Sequence, residues 1–310
     1  MEESAASSTA MFVSFMRAIY SRTARRPILH DPWGETLVPG EAIDAMQLKI
    51  ASALSRTAGT AAANGNAGDN MLAAALSHPA LANVIVRSRY TEDALHAAMS
   101  RGVKQYVLIG AGFDSYALRL PDRARHLDIY EIDHPATQNL KTRRLVECGI
   151  SVPASVHFLP ADLGQQRLGQ VLANSSFKAT EPAFFSLLGV TMYLSHDDNM
   201  TTLGEIAGSA APGSELVFTY VDQAAFTPGS TEETAAFNKV QQSVASLGEP
   251  FLSGFDPSSL AGELLQAGLQ LAEDLTDDQA IARYDQDGSS GLRSAPLSRI
   301  ARATVLDLSL

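Results

Sequence analysis

Tyr106-Val107-Leu108-Ile109-Gly110-Ala111-Gly112-Phe113-Asp114-Ser115 is the stretch whose reading decides the fold. Four apolar residues run straight into a glycine turn, the pattern of a buried strand that ends beneath a bound ligand before the next helix begins. Gly110 and Gly112 let the backbone pass close under that ligand, where a Cβ would collide with it. Ser115 stands where a dinucleotide fingerprint has its third glycine, the residue that permits the close packing around a pyrophosphate at a helix start. That loss disfavours a nicotinamide dinucleotide and leaves adenosyl cofactors open. About twenty residues further on, Tyr130-Glu131-Ile132-Asp133 puts carboxylates at the end of a second strand, where a nucleoside presents its ribose hydroxyls. A carboxylate offers two acceptor oxygens to two such donors. Alone, this pair of acids is a solvated turn; after a glycine turn at this spacing it is a ligand contact.

Outward from this unit, short apolar runs recur at 106–109, 127–130, 156–159, 183–187 and 216–220, with helical spacing between them at about 135–148, 196–210 and 231–247. Strands alternating with helices predict a parallel sheet covered on both faces. A helix near 257–267 and two more strands, Leu269 to Leu275 and Arg299 to Leu308, bring the count to seven, more than a six-stranded dehydrogenase sheet needs. Residues 41–56 and 71–99 show helical spacing and are joined by 57–70, a loop rich in Ala, Gly, Asn and Thr.

The formal charge of -11, from 34 acidic against 23 basic residues, leaves no broad basic surface for phosphates and argues against a nucleic-acid partner. The single cysteine, Cys148, forms no internal disulfide and no cysteine-rich zinc site, and reads as a half-buried helix residue. The start of the chain lacks a secretory pattern and no long apolar span follows, so the expectation is a cytoplasmic protein without a membrane partner. No Gly-x-Ser-x-Gly, His-Glu-x-x-His or phosphate-loop motif occurs.

Taken in order, these motifs resemble the leucine carboxyl methyltransferase family and its small-molecule relatives over about residues 11–310. The resemblance implies an α/β, Rossmann-like class I methyltransferase: a seven-stranded, mostly parallel sheet with helices on both faces and an N-terminal helical lid. Residues 1–100 would form the lid and cofactor-carboxylate segment and 101–310 the core, as one structural domain. It implies S-adenosylmethionine as cofactor. The family's cofactor loop is similar to Val107–Ser115, with Gly110, Ala111, Gly112 and Asp114; its ribose segment is similar to Tyr130–Pro135, with Glu131 and Asp133. Ala161-Asp162-Leu163 resembles the segment at the adenine edge, where Asp162 would accept from the amine and the Leu163 backbone would hold the ring. Arg87 matches the arginine for the methionine carboxylate, with Arg89 the lesser candidate, and a guanidinium pairs with a carboxylate through two parallel bonds.

Phe185-Ser186-Leu187-Leu188-Gly189-Val190-Thr191-Met192-Tyr193-Leu194 resembles the fourth-strand motif lining the methyl-transfer cavity, with Leu188 in place of the family's acid. Arg17-Ala18-Ile19-Tyr20 likewise has Tyr20 where the family has Glu, while Arg17 keeps the lid position facing a carboxylate of cofactor or substrate. The implied reaction is in-line methyl transfer to a carboxylate or hydroxyl oxygen of a small molecule, for which alignment is the main requirement and no metal is needed. A carboxylate acceptor needs no base; a hydroxyl does, and His134, His157, His196 and Tyr193 are candidates, with Tyr193 and Tyr220 as substrate-orienting residues. Two other readings stay open: a nicotinamide-dependent oxidoreductase, and a binding or non-methylating protein that keeps the fold with Leu188 and Tyr20. A homo-oligomer is left open as well.

Overall fold

The computed structural model describes residues 6–57, 78, 80–121, 124–227, 248–294 and 297–307, with 234, 237, 238, 241, 242 and 245 between them. The chain opens with α1 (Ser8–Thr23), α2 (Gly34–Leu37), α3 (Gly40–Thr57) and α4 (Leu81–Ser100). The Ser7 hydroxyl accepts the Ala10 N–H at 3.0 Å and starts α1, whose Phe15, Met16, Ile19 and Tyr20 are spaced to bury one helix face. They pack with Leu29, Val38, Leu81 and Ile85 in a core of their own.

The alternating part follows as β1 (Gln105–Ile109), β2 (Asp128–Asp133), α5 (Pro135–Glu147), β3 (Val156–Pro160), α6 (Leu168–Ala173), β4 (Phe184–Leu187), α7 (His196–Ser209) and β5 (Glu215–Val221). It closes with α8 (Leu260–Gln266), β6 (Leu269–Thr276), α9 (Asp277–Tyr284) and β7 (Ser298–Val305). The seven strands form one sheet in the order β3-β2-β1-β4-β5-β7-β6, parallel from β3 to β5, with β7 antiparallel to both its neighbours. The expected α/β class, strand count and helix-covered sheet are therefore present.

Central strands β1, β4 and β5 are buried throughout, as their mainly apolar sequences require. Their alternate residues feed two cores. Val107, Ile109, Phe185, Leu187 and Phe218 meet helices α6, α7 and α8 on one face. Tyr106, Leu108, Phe184 and Val217 meet α4 and α9 on the other. The chain reverses direction of travel across the sheet between β1 and β4, and the crevice at their carboxyl ends is where such sheets bind ligands.

Three details differ from the sequence reading. Among the described residues no α-helix follows the glycine turn before β2: Tyr116–Leu118 is a single 3-10 turn, fixed by Asp114 Oδ1 accepting the Tyr116 N–H at 2.8 Å. Helices α6 and α9 went unanticipated. The first has six residues, too few for a period to show, and the second begins at a capping box of Thr276 and Gln279 directly after a strand. The helical pattern expected at 71–99 begins at Leu81, with 71–77 and 79 outside the described residues; the joint at 58–70 and most of 231–247 also lie outside them. Cys148 is half-buried at the C-cap of α5.

Candidate active site

A cavity of about 1220 Å³ opens at the carboxyl ends of β1, β2 and β4, beneath α1. Gly110, Ala111, Gly112, Asp114, Asp133, Asp162, Leu188, Arg87, Arg17 and Tyr193 all line it, so the structure brings together ten of the thirteen residues singled out in the sequence. Glu131, Leu163 and Tyr220 are not among its walls.

The floor is the glycine turn. Gly110 has φ of 72° and Gly112 of 50°, and a Cβ at Gly110 would stand 2.4 Å from Val190 Cγ2. The Gly110 and Ala111 N–H groups donate to the Ile132 carbonyl at 2.9 and 3.1 Å, and the Gly112 N–H donates to Asp133 Oδ2 at 2.6 Å. All three donors are thus spent on β2 and face away from any phosphate. Without a helix N-terminus behind them, the turn lacks both components of a pyrophosphate site.

Asp133 Oδ1 accepts the His134 N–H at 2.7 Å, so both carboxylate oxygens are fixed by backbone while each keeps a lone pair for a ligand. Burial pushes the Asp133 pKa up, opposed by these two donors. Asp162 is held similarly, Oδ1 accepting from the Gly164 N–H and Oδ2 from Gln165 Nε2, both at 3.0 Å. The Leu163 side chain packs against the core, and the residue, whose backbone was expected to hold the adenine ring, is not in the cavity wall.

Two arginines reach the cavity. Arg17 Nη2 donates to the Phe113 carbonyl at 2.9 Å, its Nε lies 2.8 Å from Asp31 Oδ2, and its Nη1 lies 3.9 Å from Asp114 Oδ2. Burial would raise the fully enclosed Asp31 carboxyl, but Arg17 and Arg119 outweigh it and hold the pKa below the ordinary value. Arg87 differs: among the described residues no carboxylate pairs with it. Its Nη1 donates to Asn83 Oδ1 at 3.2 Å, and Asn83 Nδ2 donates onward to Asp277 Oδ1 at 2.7 Å. The guanidinium lies against Gly189, where a Cβ would come within 2.7 Å of Nη2. Desolvation and the neighbouring Arg17 push the Arg87 pKa down to about 10.

The remaining candidates sit elsewhere. Glu131 is buried in an ion pair with Lys141, where burial raises its pKa against the pull of the ammonium. The Tyr220 ring is buried in the core and its hydroxyl donates to Asp274 Oδ2 at 2.9 Å, which also pairs with Arg299, so the tyrosine ends in a structural cluster on β6 and β7. Arg89 bonds Asp93 and the Ile28 carbonyl outside the cavity. Tyr20, the departure on α1, is fully buried with its hydroxyl accepting the Ile28 N–H. None of His134, His157 and His196 lines the cavity. His134 caps α5, His157 stacks on Tyr130, and His196 lies 3.4 Å from Glu263. Sequence reasoning passed over Asn83, Asp31, His78, Gly189 and Glu249. Asn83 was within reach, since it stands four residues before Arg87 on one helix face.

The family model described as leucine carboxyl methyltransferase matches residues 10–207, which takes in most of α1, the glycine turn, Asp133, Asp162 and the segment after β4. The chain belongs to this family. Among its relatives is YktD of Bacillus subtilis strain 168, named as an S-adenosyl-L-methionine-dependent methyltransferase and 36% identical over 63% of each chain. A protein of Mycolicibacterium vanbaalenii with the same description is 29% identical over 89% of this chain and 87% of its own length. The chain spans 63% and 57% of the lengths of the first two curated relatives it matches. In the fold, a crystal structure from Thermobifida fusca YX aligns with a TM-score of 0.52 at 17% identity, covering 79% of this chain and 90% of that one. Among the described residues no helix is long and apolar enough to cross a membrane, and no three His, Cys, Asp or Glu side chains gather as a metal site.

Proposed function

We propose that this member of the leucine carboxyl methyltransferase family is an S-adenosylmethionine-dependent O-methyltransferase acting on a small molecule. The observation that carries the reading is Arg87, an inward-turned cation without a carboxylate partner among the described residues, held by Asn83 opposite the glycine turn. An amino-acid carboxylate satisfies it; a nicotinamide dinucleotide has none to offer. The spent N–H groups of the turn disfavour the dinucleotide a second time.

In this reading Arg87 holds the carboxylate of the methionine moiety, Asp133 accepts from the ribose hydroxyls, and Asp162 accepts from the adenine amine. Gly110 and Gly112 give the close approach. Asp114, half-buried in the cavity wall, replaces the missing acid at Leu188 as the partner of the ammonium. When bound, the cofactor supplies an activated methyl carbon, and the protein contributes by aligning an acceptor oxygen with it and excluding water. Burial, together with the nearby Glu249 carboxylate, pushes the Tyr193 hydroxyl up to about 12, so at neutral pH it donates hydrogen bonds and does not act as a base.

Incubation with S-adenosylmethionine labelled in its methyl group and a small-molecule fraction tests this. Label is expected in organic products, as base-labile esters for carboxylate acceptors or base-stable ethers for hydroxyls. Label confined to the cofactor in a protein that binds S-adenosylhomocysteine would count against transfer.

A further inference from the structure

The cavity is larger than one ligand needs, since small-molecule sites run from about 300 to 1,000 Å³, and here the figure is about 1220 Å³. Besides the polar groups assigned to the cofactor, its walls include Phe12, Met16, Met46, Val84, Phe251 and Leu252. Flat rings pack well against such thioether and aromatic walls. One acid interrupts them. Glu249 lies on the segment that returns over the turn after β4, where the Leu252 N–H donates to the Met192 carbonyl at 2.7 Å. The Ser253 hydroxyl donates to the Leu194 carbonyl at 2.7 Å, and the Phe251 ring stands edge-on to Tyr193 at 5.3 Å. These contacts hold Glu249 in the same wall as Tyr193. Among the described residues no cation or hydrogen-bond donor pairs with its carboxylate.

We propose that the outer cavity recognises a phenol on an apolar ring system, and that Glu249 is the specificity-determining acceptor of its hydroxyl hydrogen bond. The inference rests on the methyltransferase reading and names its acceptor: the methyl–oxygen bond forms as the methyl–sulfur bond breaks, S-adenosylhomocysteine is the leaving group, and the phenol proton passes to the Glu249 carboxylate. The other charges decide between classes. Arg87 is committed to the cofactor carboxylate and Arg17 to Asp31 and Phe113, so an acidic acceptor would meet Glu249 with no inner cation left to balance it. Lys49 is exposed. An ammonium acceptor would share the cavity with two guanidinium groups and a sulfonium. A neutral O–H donor satisfies Glu249 and adds no charge. His78 also lines the cavity; its Nδ1 accepts the Ala80 N–H at 3.3 Å, and burial lowers its pKa, so it is neutral with its free nitrogen a donor.

Calorimetric titration of the S-adenosylhomocysteine-loaded protein with naphthol, naphthoate and naphthylmethylammonium, for wild type and Glu249→Gln, tests the proposal. Wild type is expected to bind naphthol about tenfold or more tighter than either charged probe. Glu249→Gln should bind naphthol about tenfold more weakly and naphthoate more tightly, with unchanged S-adenosylhomocysteine affinity as the control for folding. Tighter binding of naphthoate or the ammonium probe to wild type would overturn it. So would an unchanged ranking in Glu249→Gln, or no binding of any of the three. Failure of wild type to bind S-adenosylhomocysteine would instead strike the methyltransferase reading.

Discussion

The floor of the cavity is made of backbone and the roof of side chains. Below, two positive-φ glycines, three spent N–H groups and Asp133 come from two adjacent strands whose register fixes them. Above, Arg17 of α1, Arg87 of α4 and Glu249 of a distant loop converge from separate elements. A floor of this kind places a nucleoside by geometry alone, and substitution there disturbs the strand ends with it. The roof sets charge and shape, and each of its side chains can change with little effect on the sheet. The difference predicts which substitutions are felt, and where.

The largest effect on ligand affinity is expected in the roof, at its most deeply buried cation. Arg87→Ala removes charge-assisted hydrogen bonds of a kind each worth about 1.5–3 kcal/mol, so S-adenosylhomocysteine affinity should drop by roughly tenfold to over a hundredfold by calorimetry. An unchanged affinity would detach Arg87 from the cofactor. Asp133→Asn comes next: the amide keeps one acceptor oxygen but turns an N–H donor toward Gly112 or His134, and a loss of about 1–3 kcal/mol in binding is expected, with the fold checked by circular dichroism. Retention of full affinity would break the picture of the floor.

Leu188→Glu should be smaller and of the opposite sense to repair. Leu188 packs against the core face shared by α4 and β4, so a carboxylate there is partly desolvated beside an ammonium already served by Asp114. Affinity is expected to be unchanged or lower. A clear tightening would show that no substitute acid serves. Smallest of all is Tyr220→Phe, which should leave cofactor affinity alone while lowering stability by about 0.5–1.5 kcal/mol through loss of the bond to Asp274. A drop in affinity with unchanged melting would return Tyr220 to the site.

What was legible in the sequence follows the same division. The apolar run into Gly110 and Gly112, and the acid at the end of the next strand, are local patterns, and strand register brings them together unaided. Glu131 and Asp133 stand two apart on one face of β2 and are indistinguishable by spacing; Lys141, ten residues on, takes the first, while the second sits at the strand end within reach of the Gly112 and His134 N–H groups. Tyr220 ends in its cluster because Asp274 and Arg299 arrive on the antiparallel pair of strands, from 54 residues away in the case of Asp274. Glu249 carries no local mark at all, and only the closing of the loop over Met192 gives it a role.

The central claim is that this sheet end binds an adenosyl amino acid and not a dinucleotide. Titrating the same preparation with S-adenosylhomocysteine and with NADH decides it. Saturable binding of S-adenosylhomocysteine with no heat from NADH is the expected result; tight NADH binding without detectable S-adenosylhomocysteine binding would contradict the account.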